Sequence, residues 1–83
     1  MAKKILLVDD EPEILEICRD YLKASNYDVV TARDGVQGVS SARREKPDLI
    51  VLDLMMPEMD GIDVCRTIRR ESNVPIIMLT ARV

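Results

Sequence analysis

The segment Pro47-Asp48-Leu49-Ile50-Val51-Leu52-Asp53-Leu54-Met55-Met56-Pro57-Glu58-Met59-Asp60-Gly61 decides how this chain is read. Leu49 to Leu52 run without a polar break between Pro-Asp and Asp punctuation, the pattern of a strand covered on both faces. Asp53 falls where that strand ends. In an open parallel sheet ligands gather at the carboxyl ends of the strands, so a carboxylate delivered there is placed for chemistry. Pro57 and Asp60-Gly61 then turn the chain into the next helix. Taken alone, an aspartate at a strand end is more often a turn former, and other strand ends have to decide between the two readings.

Upstream, Lys4-Ile5-Leu6-Leu7-Val8 is a short apolar run that ends in Asp9-Asp10-Glu11-Pro12, a second acidic strand end. Ile14, Leu15, Ile17, Cys18, Tyr21 and Leu22 follow at helical spacing and predict an amphipathic helix from about Pro12 to Ser25. Glu13 and Glu16 lie early in it and Arg19 and Lys23 late, an order that suits the helix dipole. Asn26-Tyr27 turns into Asp28-Val29-Val30-Thr31-Ala32, whose β-branched residues favour a second strand. Asp34-Gly35 turns again into a helix from roughly Gly35 to Glu45, with Val36, Val39 and Ala42 on one face. Gly38, Ser40 and Ser41 are poor helix formers, so this is expected to be the least stable helix.

Downstream, Ile62, Cys65 and Ile68 are expected to mark the inner face of a third helix, with Arg66, Arg69, Arg70 and Glu71 in water. Asn73-Val74-Pro75 closes it, and Pro75 opens a last apolar strand, Ile76-Ile77-Met78-Leu79, ending in Thr80. Strand and helix alternate throughout, which predicts an α/β chain with right-handed crossovers and a parallel sheet.

Composition agrees with one small globular domain. The chain has 83 residues, 47% of them hydrophobic, without Trp or Phe, so its core is built from aliphatic residues and Met. The formal net charge of −3 and the lack of a basic block give no reason to expect direct nucleic-acid binding. No apolar run approaches membrane-spanning length, and Met1-Ala2-Lys3-Lys4 leads into the first strand without a cleavable signal pattern, so a soluble cytoplasmic domain is expected. Cys18 and Cys65 stand apart in a chain without His, which disfavours zinc and redox roles and leaves them as small buried hydrophobes.

The strand ends now bear on one another. Asp9 and Asp10 leave the first strand, Asp53 the third and Thr80 the fourth, all at one edge if the strands are parallel. Three carboxylates would crowd one crevice, and no cationic residue other than Arg82 stands at these ends. A divalent cation relieves that repulsion, and oxygen-only ligands suit Mg²⁺. Helix capping by Asp9, Asp10 and Glu11 is the plainer alternative and can coexist with it. It does not account for two acidic strand ends.

These residues resemble the receiver domains of bacterial two-component response regulators. The likeness is carried by Ile5-Leu6-Leu7-Val8-Asp9-Asp10-Glu11-Pro12, by Asp34-Gly35, by the segment from Pro47 to Gly61, and by Pro75-Ile76-Ile77-Met78-Leu79-Thr80-Ala81-Arg82, in that order along the whole chain. The resemblance implies a flavodoxin-like doubly wound parallel sheet, here of four strands in order 2-1-3-4 with three helices. It implies phosphoryl transfer from a histidine kinase, with Asp53 as the phosphoacceptor. Asp9, Asp10, Asp53 and the Met55 carbonyl are implied as ligands of Mg²⁺, and Thr80 as the hydroxyl that contacts the phosphoryl group and switches the following loop, with Ala81 leaving room beside it. The domain is then a stoichiometric phosphoacceptor that assists its own phosphorylation and dephosphorylation, and not an enzyme. Asp53, once ionised, attacks phosphorus without a separate base, while the metal offsets charge on the phosphoryl oxygens. An ordinary strand-end hydroxyl is the plainer reading of Thr80.

The family pattern continues through a further helix, a fifth strand carrying a Lys to the phosphoryl site, and a last helix, none of which occurs in residues 1–83. Lys3, Lys4 and Lys46 lie at the opposite strand ends, and the usual switch aromatic is missing. These residues are thus expected to form a partial receiver domain with impaired activity. The fourth strand, left with a bare edge and beside a bare sheet face, is expected to drive self-association into a homo-oligomer, most simply a dimer. A non-catalytic, self-associating scaffold derived from a receiver domain is the alternative. A metal-dependent aspartyl-phosphate hydrolase needs a second Asp where Met55 stands, and a dinucleotide site needs a glycine-rich turn where Asp9-Asp10-Glu11 stands.

Overall fold

The computed structural model describes residues 2–54, 56 and 60–79. Seven elements follow one another: β1 Lys4–Val8, α1 Pro12–Ala24, β2 Asp28–Ala32, α2 Gly35–Glu45, β3 Leu49–Asp53, α3 Gly61–Arg69 and β4 Ile76–Leu79. The strands form one parallel sheet in the order β2-β1-β3-β4. This is the flavodoxin-like architecture expected from the sequence, and β1 and β3 hold the interior positions their unbroken apolar runs call for.

Register divides the side chains between two layers. Leu6, Val8, Ala32, Ile50 and Leu52 point to one face and pack with Met56, Val64 and Ile68, flanked by Val39 and Ala42 of α2. Ile5 and Leu7 point to the other, against Leu15 of α1, flanked by Leu22, Val29, Leu49 and Val51. So α1 covers one face and α2 and α3 the other. Leu6, Ile50, Leu52 and Val8 are the largest fully buried side chains, so β1 and β3 supply the centre of the core.

Each helix start has a local cause. Pro12 occupies the first turn of α1, where no amide donor is lost, and Glu13 in the first turn and Lys23 in the last complement the dipole. Asp34 caps α2 by accepting from the Gln37 amide at 2.8 Å, and Gln37 Oε1 accepts in return from the Arg33 amide at 3.1 Å. Asp60 caps α3 by accepting from the Ile62 amide at 2.9 Å. The weak helix formers of α2 have a packing role: Gly38 and Ser41 are buried, and a methyl group at Gly38 would stand 3.2 Å from both Val8 Cγ atoms.

Three sequence expectations need correction. The buried stripe of α1 is far narrower than its apolar residues suggested: Leu15 is buried, whereas Ile14, Ile17, Tyr21 and Cys18 are exposed. Cys18 is therefore not a buried hydrophobe, and Cys65 is only half-buried beside the core. In α3 the Asp60 cap sets a phase that turns Gly61, Val64 and Ile68 inward and leaves Ile62 exposed.

Candidate functional site

Asp9 follows the last residue of β1, and its position is fixed by the sheet: its amide donates to the Ala32 carbonyl at 3.1 Å, extending the β1–β2 ladder by one bond. Its carboxylate is fixed by the helix entry, because the Glu11 amide donates to Asp9 Oδ1 at 2.9 Å. Glu11, the residue that precedes α1, makes no side-chain cap of its own. Asp9 therefore holds the turn just before α1, through one oxygen, and does not cap an amide of its first turn. Asp53 closes β3, in register with Leu79, and the next amide, Leu54, donates to the Leu79 carbonyl at 2.9 Å. Both aspartates are carried by interior strands of the sheet.

The consequence is convergence. Asp9, Asp10 and Asp53 each offer a carboxylate oxygen, and these atoms lie within 4.8 Å of one another. Two unit charges at such a distance repel by ~1 kcal/mol in bulk water and by ~4 kcal/mol at the effective dielectric of a protein surface. An apolar cleft lined by Leu7, Ile14, Leu15, Val51 and Leu79 lies directly against Asp9 and Asp53 and limits their access to water. Burial accordingly pushes the Asp9 carboxyl above its ordinary value, with the charges of Asp53 and Asp10 adding to it and the Glu11 amide opposing it.

A cluster of this kind fits a hard divalent cation, which takes carboxylate oxygens and cancels the repulsion. Asp9, Asp10 and Asp53 are the residues that would hold it. An acidic cluster at the first strand-to-helix turn also repels a pyrophosphate, which disfavours the dinucleotide reading. Met55 and Thr80, the other two site residues expected from the sequence, lie outside the described residues, as do Ala81 and Arg82. Lys4 and Lys46 stand at the far end of the sheet, where Lys4 Nζ pairs with Glu45 at 3.1 Å and Lys46 ends α2 in a left-handed conformation. Among the described residues no helix is long and apolar enough to cross a membrane.

Residues 5–83 match the profile of the family described as the response regulator receiver domain. The alkaline phosphatase synthesis transcriptional regulatory protein PhoP of Bacillus subtilis is 52% identical over 83 residues, an overlap covering 99% of this chain and 35% of that protein. The DNA-binding response regulator MtrA of Mycolicibacterium smegmatis is 46% identical over 82 residues, covering 99% of this chain and 36% of that one. The chain therefore spans about a third of the length of these relatives. Among solved structures, the chemotaxis protein CheY4 of Vibrio cholerae superposes with a TM-score of 0.94 at 32% identity, covering 100% of this chain and 72% of that chain. The BeF3-activated N-terminal receiver domain of Klebsiella pneumoniae RstA gives 0.89 at 39% identity, covering 96% and 68%.

Proposed function

Because this chain belongs to the response regulator receiver domain family, we propose that it accepts a phosphoryl group on Asp53 from a phosphohistidine of a histidine kinase, with Mg²⁺ held by Asp9, Asp10 and Asp53. The observation that carries this reading is the meeting of the three carboxylates at the carboxyl ends of two adjacent parallel strands. A turn-forming aspartate has no need of two others beside it.

The chemistry follows from these groups. An ionised Asp53 oxygen attacks phosphorus of a phosphohistidine protonated at its other ring nitrogen, the phosphorus–nitrogen bond breaks, and its electron pair leaves with the nitrogen, so the ring ends as neutral imidazole. The product is an acyl phosphate on Asp53. The cation supplies charge neutralisation for the carboxylates and for the phosphoryl oxygens. Asp9, held by the Glu11 amide and by the sheet, keeps its carboxylate in place without reorganisation. The Met55 carbonyl as a further ligand and the Thr80 hydroxyl as the phosphoryl contact are assigned by family resemblance. We place the domain in the cytoplasm for the same reason, and the outer edge of β4 is proposed as the contact with a second copy of this chain.

Intact mass after prolonged incubation with a small phosphodonor and Mg²⁺ tests the reading. Wild-type chain is expected to gain the mass of one phosphoryl group, dependent on Mg²⁺, and Asp53→Asn to gain none. Equal modification of both would move the acceptor elsewhere. No modification of either would favour the non-catalytic scaffold.

A further inference from the structure

We propose that Gly61 is a positioning residue for the acidic site, keeping Asp53 in place by leaving its own Cβ position to Leu54. The proposal rests on the reading of Asp9, Asp10 and Asp53 as a cation site. In the sequence Gly61 reads as half of an Asp-Gly turn, a place where glycine is wanted for a left-handed backbone. The structure removes that reason, since no glycine of the described residues has a positive φ and Gly61 is the first residue of α3. Any residue could adopt this backbone, and Ala would favour the helix more.

Space supplies the reason instead. A Cβ at Gly61 would stand 2.5 Å from Leu54 Cδ2, 3.1 Å from Leu54 Cα and 3.6 Å from the Asp53 carbonyl oxygen. Carbon atoms in ordinary contact stand ~3.5–4.0 Å apart. The Cδ2 conflict is relieved by turning a side chain, but the Cα conflict is with the backbone that follows Asp53. Neither side yields freely. The Leu54 amide is tied to the Leu79 carbonyl at 2.9 Å, and its side chain packs against the main core. On the other side α3 is held by the Asp60 cap and by the buried Val64 and Ile68. A methyl group at Gly61 is therefore relieved in part by moving the Asp53–Leu54 peptide, and the Asp53 carboxylate moves with it.

Gly38 provides the comparison. A Cβ there would also be crowded, at 3.2 Å, but by the Cγ atoms of Val8 and with no backbone among its nearest neighbours. Its substitution strains packing behind β1 without displacing an aspartate peptide.

The test is Mg²⁺ affinity, measured by titration of the full chain, for wild type, Gly61→Ala, Gly38→Ala and Gly61→Ala combined with Leu54→Ala. Gly61→Ala is expected to weaken Mg²⁺ by about tenfold or more, the usual effect of disturbing a residue behind a metal ligand. It is also expected to shift the Asp53 and Leu54 amide resonances of the cation-free protein. Gly38→Ala should lose stability and keep its affinity. Adding Leu54→Ala to Gly61→Ala removes the Cδ2 conflict but not the Cα one, so it should restore folding if the single variant does not fold while leaving affinity weakened. Unchanged affinity in Gly61→Ala, an equal loss in Gly38→Ala, or full recovery of affinity in the double variant would overturn the proposal. Wild-type chain that binds no Mg²⁺ would sink the reading of the site itself, and unmoved Asp53 and Leu54 resonances in cation-free Gly61→Ala would then sink the positioning role as well.

Discussion

Asp9 is the residue at which structure and solution behaviour meet most directly. Burial, then the charges of Asp53 and Asp10, hold its carboxyl above the ordinary range, against the lowering effect of the Glu11 amide. A carboxyl with a raised folded pKa favours the fold while protonated; that contribution is whole below the ordinary carboxylate value and is lost as pH rises through the folded one. In chelator, urea midpoints of the wild type should therefore fall over this acid window relative to Asp9→Asn, which carries no charge to lose. Parallel profiles for the two proteins would contradict the assignment. Mg²⁺ should reverse the order at neutral pH, stabilising wild type more than Asp9→Asn, because the neutral amide oxygen is a weaker ligand than the ionised carboxylate. Paramagnetic Mn²⁺ should broaden the amide signals of Asp9, Asp10 and Asp53 before others, and Asp10→Ala should weaken that effect. Uniform broadening would argue against a defined site.

Among the elements, α2 shows how local chemistry and packing divide the work. Its Asp34–Gln37 cap satisfies helix-end amides, so Asp34→Ala should cost about 1 kcal/mol in a denaturant titration. Hydrogen exchange should find α2 the fastest of the three helices, since Gly38, Ser40 and Ser41 lower its intrinsic propensity. Strong protection there would show that close approach to Val8 outweighs propensity. β1, β3 and β4 were legible as short apolar runs and β2 from its β-branched residues; alternation with helices predicted the parallel sheet, and the strand order came from the family resemblance. The inward face of α3 was not legible, because apolarity favoured Ile62 while the phase is set by the Asp60 cap, a hydrogen bond no periodicity encodes. Nor was the exposure of Ile17, Tyr21 and Cys18: an apolar stripe states what α1 can cover, not what lies opposite it. The site divides in the same way. Asp9, Asp10 and Asp53 are visible as acidic strand ends, whereas Gly61 has an ordinary backbone and is marked only by its distance from Leu54.

At the scale of the whole molecule, the sheet is uneven. Within the described residues β4 pairs only with β3, and Ile77, Met78 and Leu79 are 48%, 50% and 50% exposed. Ile17 and Tyr21, on the helix that covers one face, are 67% and 73% exposed. Unpaired strand edges and apolar surface of this kind favour association. Sedimentation equilibrium of the 83-residue chain should show a concentration-dependent oligomer that Ile77→Lys weakens, and a monodisperse monomer would contradict it. The pairing of β1 carries a different consequence, for how the chain is made. β1 is synthesised before β2 and β3 yet sits between them, and Ile5 meets its partner Leu49 only after α1, β2 and α2 have been added. During vectorial synthesis one edge of β1 must wait uncovered until β3 has been made. Parallel, non-local pairing of this sort folds slowly. A ribosome paused before residue 49 should thus hold a nascent chain that is protease-sensitive and bound by chaperones, and release of β3 should be the step at which protection appears.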